Sequence, residues 1–155
     1  MLDAKSFAEK AVKRFKTRNP FDIAESLGFD IIYVPLVGVR GFYQQLKRNK
    51  FIYINESLSD HQTRLVCAHE LGHWFMHKKL NRLFLDSRTF FVTSRYETEA
   101  NRFAVSLLYS DDEIIELQDC TLDQIACAMG VNRDLAQYRV QATFCNNVKR
   151  KFGTG

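Results

Sequence analysis

The alternation of apolar and polar residues predicts helices at both ends of the chain with short strands between them. A first helix is expected over about residues 3–17, followed by a turn at Asn19-Pro20 and a short helix ending at Gly28. Runs rich in β-branched and aromatic residues then predict three strands, over residues 30–35, 41–47 and 51–55, with residues 48–50 closing a hairpin. A small sheet should therefore precede the middle of the chain.

The next helix is predicted to run through a core. Ser59 and Gln62 form a capping box at its start, and the residues that follow are apolar on nearly every side. Gly72 lies in its interior, where glycine costs about 1 kcal/mol relative to alanine. Close approach of another segment explains this glycine better than helix propensity does.

The same helix carries the sequence His69-Glu70-Leu71-Gly72-His73. At about 100° per residue, the two histidines lie about 40° apart around the axis and one turn apart along it, so both rings can reach one metal ion. Glu70 is rotated by about 100° from His69, a position from which it could take a proton from a metal-bound water. The alternative is a buried helix whose histidines form ordinary hydrogen bonds and whose Glu70 forms a salt bridge.

A third ligand is predicted on a second amphipathic helix, over about residues 96–108. Glu97 lies about 60° from the centre of its apolar stripe and Glu99 about 100° away on the other side. This favours Glu97 as the ligand and Glu99 as a solvated residue. Asn101, one turn after Glu97, could donate a hydrogen bond that fixes a ligand histidine or carboxylate.

Two rival roles concern residues of this region. Ser94 and Glu97 also fit a capping box, which would turn the carboxylate back to the backbone unless the helix begins earlier. His77 is about 80° from the first histidine of the motif, so we interpret it as a neighbour that supports a ligand. The donor to a developing oxyanion could be Tyr96, Arg95 or His77, and the sequence does not choose among them.

The two motifs, residues 69–77 and 97–104, resemble the ImmA/IrrE family of small zinc metallopeptidases, and the resemblance covers about residues 20–140. It implies one Zn²⁺ per chain, held by His69, His73 and Glu97, with Glu70 as the catalytic carboxylate. With the predicted elements, it implies an α+β fold: a small, mostly helical, gluzincin-like domain with a short antiparallel sheet before the metal-binding helix. The implied substrate is a helix-turn-helix repressor, whose cleavage would activate a mobile element or a stress response.

Composition favours one domain over residues 1–155, since 46% of the 155 residues are hydrophobic and 13% are aromatic. Within it we expect N-terminal helices and the sheet (1–58), the two ligand helices (59–109) and C-terminal helices (110–147). The four cysteines form no Cys-x-x-Cys pair, so we interpret them as small buried residues of a reducing compartment. Without a long apolar run, we expect a cytoplasmic protein that does not enter membranes.

The C-terminal third has the outline of a helix-turn-helix. Thr121 and Gln124 form a capping box, the helix stops at Gly130, and a second helix begins at Asn132. The alternative function is therefore a DNA-binding or repressor-binding regulator with a non-catalytic metal site. A net charge of +4 and few basic residues in the second helix do not favour direct nucleic-acid binding. The C-terminal helices could instead bind the substrate repressor.

Two further expectations concern how a peptide would bind. The strand directly before the metal helix could pair with an extended substrate through a free edge. The segment over residues 79–93 could be a substrate-facing flap, or could simply pack on the core.

Overall fold

The computed structural model describes residues 2–78 and 90–152, and for residues 90–93 and 146–152 it describes the backbone alone. The chain forms two compact units, Met1–Leu108 and Tyr109–Gly155. That both belong to a single metallopeptidase domain stays a prediction. Residues 79–89 of the expected flap, and the side chains of residues 90–93, lie outside what the structure describes.

The first unit contains four helices and three strands among its described residues. In chain order they are α1 (Ala4–Phe15), α2 (Pro20–Ser26), β1 (Phe29–Val34), β2 (Gly41–Leu46), β3 (Asn49–Asn55), α3 (Asp60–His77) and α4 (Phe90–Leu108). Asp3, Asn19 and Ser59 cap the first three helices, because each side-chain oxygen accepts from a backbone N–H of the first turn. The predicted capping box of Ser59 and Gln62 is confirmed.

The expected α+β class is confirmed, but the sheet is mixed. Its order is β1-β3-β2, with β1 parallel and β2 antiparallel to β3. The prediction of an antiparallel sheet was therefore wrong for the pairing of β1 with β3. The expectation that the strand before the metal helix offers a free edge was also wrong, since β3 pairs on both sides and β2 lies at an edge. The hairpin turns at Lys47 and Arg48, one residue before the expected position, with Lys47 at a φ of 57°.

Two glycines set how closely other elements approach α3. A Cβ on Gly72 would lie 3.1 Å from Cα and O of Ala100 and 3.2 Å from Cβ of Phe103, both on α4. This confirms that close approach explains Gly72. A Cβ on Gly41 would lie 2.6 Å from Cγ1 of Val66, so its absence lets β2 lie against α3. Helix α3 is therefore held between the sheet and α4.

The second unit consists of α5 (Asp111–Glu116), α6 (Leu122–Met129) and α7 (Arg133–Phe152). The capping box of Thr121 and the stop at Gly130, which has a φ of 64°, are confirmed. Arg139 of α7 is fully buried and donates to the Tyr109 carbonyl, the Asp111 carboxylate and the Thr143 hydroxyl. These hydrogen bonds connect α7 to the start of α5.

The cysteines are all free, but only one is buried. Cys67 lies in the core on α3, whereas Cys120, Cys127 and Cys145 are exposed. The interpretation of all four as buried residues was therefore wrong for three of them. No helix among the described residues combines the length and the apolar character that a membrane crossing requires.

Candidate metal centre

Three side chains from α3 and α4 bring their ligand atoms together at one point. Nε2 of His69 and Nε2 of His73 lie 3.1 Å apart, because the residues are one helical turn apart on α3. Glu97 of α4 places Oε2 3.1 Å from the first nitrogen and Oε1 3.0 Å from the second. A tetrahedral zinc with bonds of about 2.0–2.1 Å would space its ligand atoms about 3.3 Å apart. The predicted ligand set is thus brought together at a suitable spacing.

The hydrogen bonding of His69 shows why a cation suits this point. Its Nδ1 lies 2.7 Å from Oδ1 of Asn101, and an amide oxygen can only accept. In the neutral ring, Nδ1 therefore carries the proton and Nε2 directs a lone pair at Glu97. Asn101 was expected to donate, and the structure shows that it accepts instead. A lone pair facing a carboxylate is repulsive unless a proton or a metal ion lies between them.

The electrostatics of the cluster favour a positive charge. Hydrogen bonds from His69 and then His73 hold the pKa of the Glu97 carboxyl far below its usual range. Burial alone would lower the pKa of His69, but the hydrogen bond to Glu97 and the charges of Glu70 and Glu97 raise it overall. The surroundings therefore stabilise a cation, and a divalent metal ion bound by neutral rings meets the same demand.

Glu70 lies beside the ligands and is held by the sheet. The residue is 7% exposed, and its Oε2 accepts a hydrogen bond of 3.2 Å from the Tyr43 backbone N–H of β2. Burial raises the pKa of its carboxyl, and the neighbouring charges of His69 and His73 oppose that shift. A carboxylate whose pKa is raised is a better proton acceptor near neutral pH.

Known proteins resemble this chain over most of its length. The family model described as an IrrE N-terminal-like domain, Peptidase M78, matches residues 24–141. The chain belongs to the ImmA/IrrE family of metallopeptidases. It is 38% identical over 138 residues to the uncharacterized immunity region protein 2 of Bacillus phage phi105, covering 87% of each chain. It is 28% identical over 148 residues to the metallopeptidase ImmA of Bacillus subtilis strain 168, covering 90% of this chain and 86% of that one.

The alternative prediction, that Glu97 of this metallopeptidase caps the start of its helix, was wrong. Helix α4 begins at Phe90, so Ser94 and Glu97 lie in its interior and the carboxylate is not needed at the helix start. The side chain of Glu97 is 52% exposed, whereas those of His69 and His73 are 18% and 16% exposed. The cluster is therefore open to solvent on the Glu97 side, where a protein substrate could enter.

The prediction that Glu99 is solvated was wrong. Glu99 is fully buried, and its carboxylate accepts from Nε2 of His77 at 2.8 Å, from Nε of Arg95 at 3.1 Å and from the Leu2 backbone N–H at 3.0 Å. His77, expected beside the ligands, places its Nδ1 3.0 Å from Nδ1 of His73. Sequence reasoning found His77 but missed Glu99, because the partners that cover Glu99 come from the N-terminus and from the end of α3.

The three candidates for an oxyanion donor have different surroundings. His77 lies between His73 and Glu99, and Arg95 donates its Nε–H to Glu99, so both have hydrogen-bond partners. The Tyr96 ring packs against the His77 ring with centroids 4.7 Å apart. His77 and Arg95 thus belong to the hydrogen-bond network of Glu99, and Tyr96 contacts that network through the His77 ring.

Proposed function

We propose that this chain is a cytoplasmic, zinc-dependent endopeptidase that cleaves a helix-turn-helix repressor and so derepresses a mobile element or a stress response. The observation that carries the proposal is the convergence of three lone-pair donors, His69, His73 and Glu97, within 3.1 Å of one another beside the buried Glu70 carboxylate. Two neutral imidazoles and one carboxylate are a ligand set that zinc uses in catalytic sites, where a fourth position stays open.

In this mechanism His69, His73 and Glu97 hold the zinc, and Glu70 moves protons. When bound, zinc supplies Lewis acidity that lowers the pKa of water toward about 7 and polarises the scissile carbonyl. Glu70 accepts a proton from the attacking water and passes it to the leaving amine. The Tyr43 N–H occupies one oxygen of Glu70, so the backbone of β2 fixes the direction in which the other oxygen points.

The edge of β2 is the proposed guide for an extended substrate. The Tyr43 N–H points away from β3, because it donates to Glu70 at 3.2 Å. Backbone groups alternate in direction along a strand, so those of Gly41 and Gln45 face the same way. A peptide that pairs with this edge would pass directly over Glu70.

The names of two relatives support the proposed substrate class. One is named as an immunity region protein of a phage and the other as the metallopeptidase ImmA. We infer that this chain acts in a comparable immunity region, where the protein that keeps a mobile element silent is a repressor. Members of a metallopeptidase family act on protein substrates, which is consistent with a repressor as the target.

Cleavage of a purified repressor tests the proposal. The repressor encoded nearest to this chain is incubated with the protein loaded with one equivalent of zinc, and fragments are identified by mass spectrometry. The wild type should cut, and chelation should abolish the cutting until zinc is restored. Glu70→Gln should bind zinc and stay folded but lose about 10²- to 10⁴-fold in rate, because its amide cannot accept the proton.

Glu9→Gln is a matched control, since it removes a carboxylate that pairs with Arg18. It should cut like the wild type. Undiminished cleavage by Glu70→Gln would refute the mechanism. A wild-type protein that binds zinc and the repressor but never cuts would favour the alternative of a regulator with a non-catalytic metal site.

The DNA-binding alternative gains little from the second unit. Residues 109–155 contain five Lys and Arg against seven Asp and Glu. In α7, Arg133 pairs with Asp123 and Arg139 is buried, so two of its basic side chains have partners within the unit. Recognition helices need basic or amide side chains directed outward. A salt-dependent shift of duplex DNA by the purified protein would support this alternative.

A further inference from the structure

A chain of hydrogen bonds runs from the candidate ligand His73 into the core. Nδ1 of His73 lies 3.0 Å from Nδ1 of His77, and Nε2 of His77 lies 2.8 Å from Oε2 of Glu99. The side chains of His77 and Glu99 are only 2% and 1% exposed, so water does not compete for these positions. This series of hydrogen bonds links α3 to α4 behind the candidate ligands.

The carboxylate of Glu99 sets the donor-to-acceptor direction of these hydrogen bonds. A carboxylate accepts hydrogen bonds, so Nε2 of His77 must carry the proton that it shares with Glu99. In the neutral ring of His77, Nδ1 is then an acceptor. The bond between the two Nδ1 atoms therefore takes its proton from His73, which leaves Nε2 of His73 with a lone pair directed at the metal position.

Three donors keep Glu99 in its accepting role. Its Oε1 receives the Arg95 Nε–H at 3.1 Å and the Leu2 N–H at 3.0 Å, while Oε2 receives His77. Each of these three partners is a donor, and none of them is an acceptor. Because all three hydrogen-bond partners are donors, the Glu99 carboxylate accepts from His77 and has no acceptor toward which it could direct a proton.

We propose that Glu99 is a positioning residue that acts through His77 to hold His73 in the tautomer and ring orientation that a metal ion requires. The inference rests on the proposed zinc site, because it assigns His73 as a ligand. Asn101 does the corresponding work for His69 at 2.7 Å, but from an amide at the opening of the cluster rather than from a buried carboxylate. Groups that orient ligand histidines in this way typically change metal affinity by about 10- to 100-fold when they are replaced.

Glu99→Gln tests the carboxylate with little change in size. An amide offers one acceptor and one donor, so at least one of the three N–H groups around position 99 would face another donor. Zinc affinity, measured by competition with a chromophoric chelator, should fall by about 10- to 100-fold. Ile23→Val, a buried substitution on α2, should lower the melting temperature without changing zinc affinity.

A second pair of variants separates the hydrogen bond from folding. His77→Asn keeps an acceptor near the position of Nδ1, and His77→Leu has nearly the same shape without it. Both variants equally remove the Nε2–H of His77, which is one of the three donors to Glu99. The asparagine variant should therefore bind zinc more tightly than the leucine variant by about tenfold or more.

Nuclear magnetic resonance of the zinc-loaded protein supplies a readout that a structural role alone would not change. The wild type should show a slowly exchanging proton on Nδ1 of His73, coupled across the hydrogen bond to Nδ1 of His77. That proton should exchange rapidly in His77→Leu. Equal zinc affinities in the asparagine and leucine variants, or unchanged affinity in Glu99→Gln, would overturn the inference. A wild type that binds no zinc would instead refute the proposed function.

Discussion

Replacement of Gly72 by alanine perturbs the contact that brings the candidate ligands together. The added Cβ would lie 3.1 Å from both Cα and O of Ala100, and 3.2 Å from Cβ of Phe103. Carbon atoms in favourable contact are about 3.5–4.0 Å apart. Two of the three short contacts involve the backbone of α4, so a side-chain rotation cannot relieve them. The helices must separate by a few tenths of an ångström at this point.

The stability change is the difference of two opposing effects. Overpacking of a core costs about 1–3 kcal/mol. Alanine is favoured over glycine in a helix interior by about 1 kcal/mol. We expect a net destabilisation of about 0–2 kcal/mol, which the protein should survive.

The effect on metal binding should be larger. Ala100 lies three residues after Glu97, so a shift of α4 moves the Glu97 carboxylate away from His69 and His73. Metal–ligand distances tolerate only about 0.2 Å. We therefore expect Gly72→Ala to lower zinc affinity by about tenfold or more.

Chelator competition measures the affinity, and thermal unfolding in chelator measures the stability of the metal-free protein. Arg64→Ala, at an exposed position of the same helix, is the control and should leave affinity unchanged. A Gly72→Ala protein that is about 1 kcal/mol more stable than the wild type in chelator and binds zinc as tightly would contradict this expectation. That result would mean that the close approach of α3 and α4 does not constrain the site.

Two further predictions test the packing within each of the two units. Arg139→Met should destabilise the protein by about 3 kcal/mol in urea unfolding, since it leaves the Asp111 carboxylate and the Tyr109 carbonyl without this donor; a change below the error of the measurement would contradict the assigned contacts. A thiol reagent should label three cysteines rapidly in the native protein and Cys67 only after unfolding, because burial, and then the charge of Glu70, raises the pKa of that thiol to about 12. Rapid labelling of all four would show that α3 is not packed as described.

The parts of the site that follow from helical periodicity were predictable from the sequence. The spacing of His69 and His73 is a local property of one helix, and the position of Glu97 follows from the apolar stripe of another. Gly72 was informative for the same reason, since an unfavourable residue in a helix interior indicates a packing contact. Each of these predictions needs only the geometry of a single helix.

The parts that depend on contacts between distant segments were not predictable. Strand propensity does not specify pairing order, so the central position of β3 and its parallel pairing with β1 could not be read from composition. The burial of Glu99 depends on the Leu2 N–H, which lies 97 residues away in the chain. The exposure of three cysteines likewise depends on which helix faces remain uncovered.

Glu97 and Glu99 show what the angle around a helix can and cannot decide. They lie two residues apart on α4, yet Glu97 faces two imidazole nitrogens whereas Glu99 faces three N–H donors. The donors around Glu99 satisfy its charge, so it has no need of a metal ion although it is buried. Glu97 faces lone pairs once the rings are neutral, and only a cation makes that arrangement favourable. In the proposed site, the choice between these two neighbouring carboxylates as metal ligand follows from the protonation of the groups opposite them, which Asn101 sets for His69 and which Glu99 sets for His73 through His77.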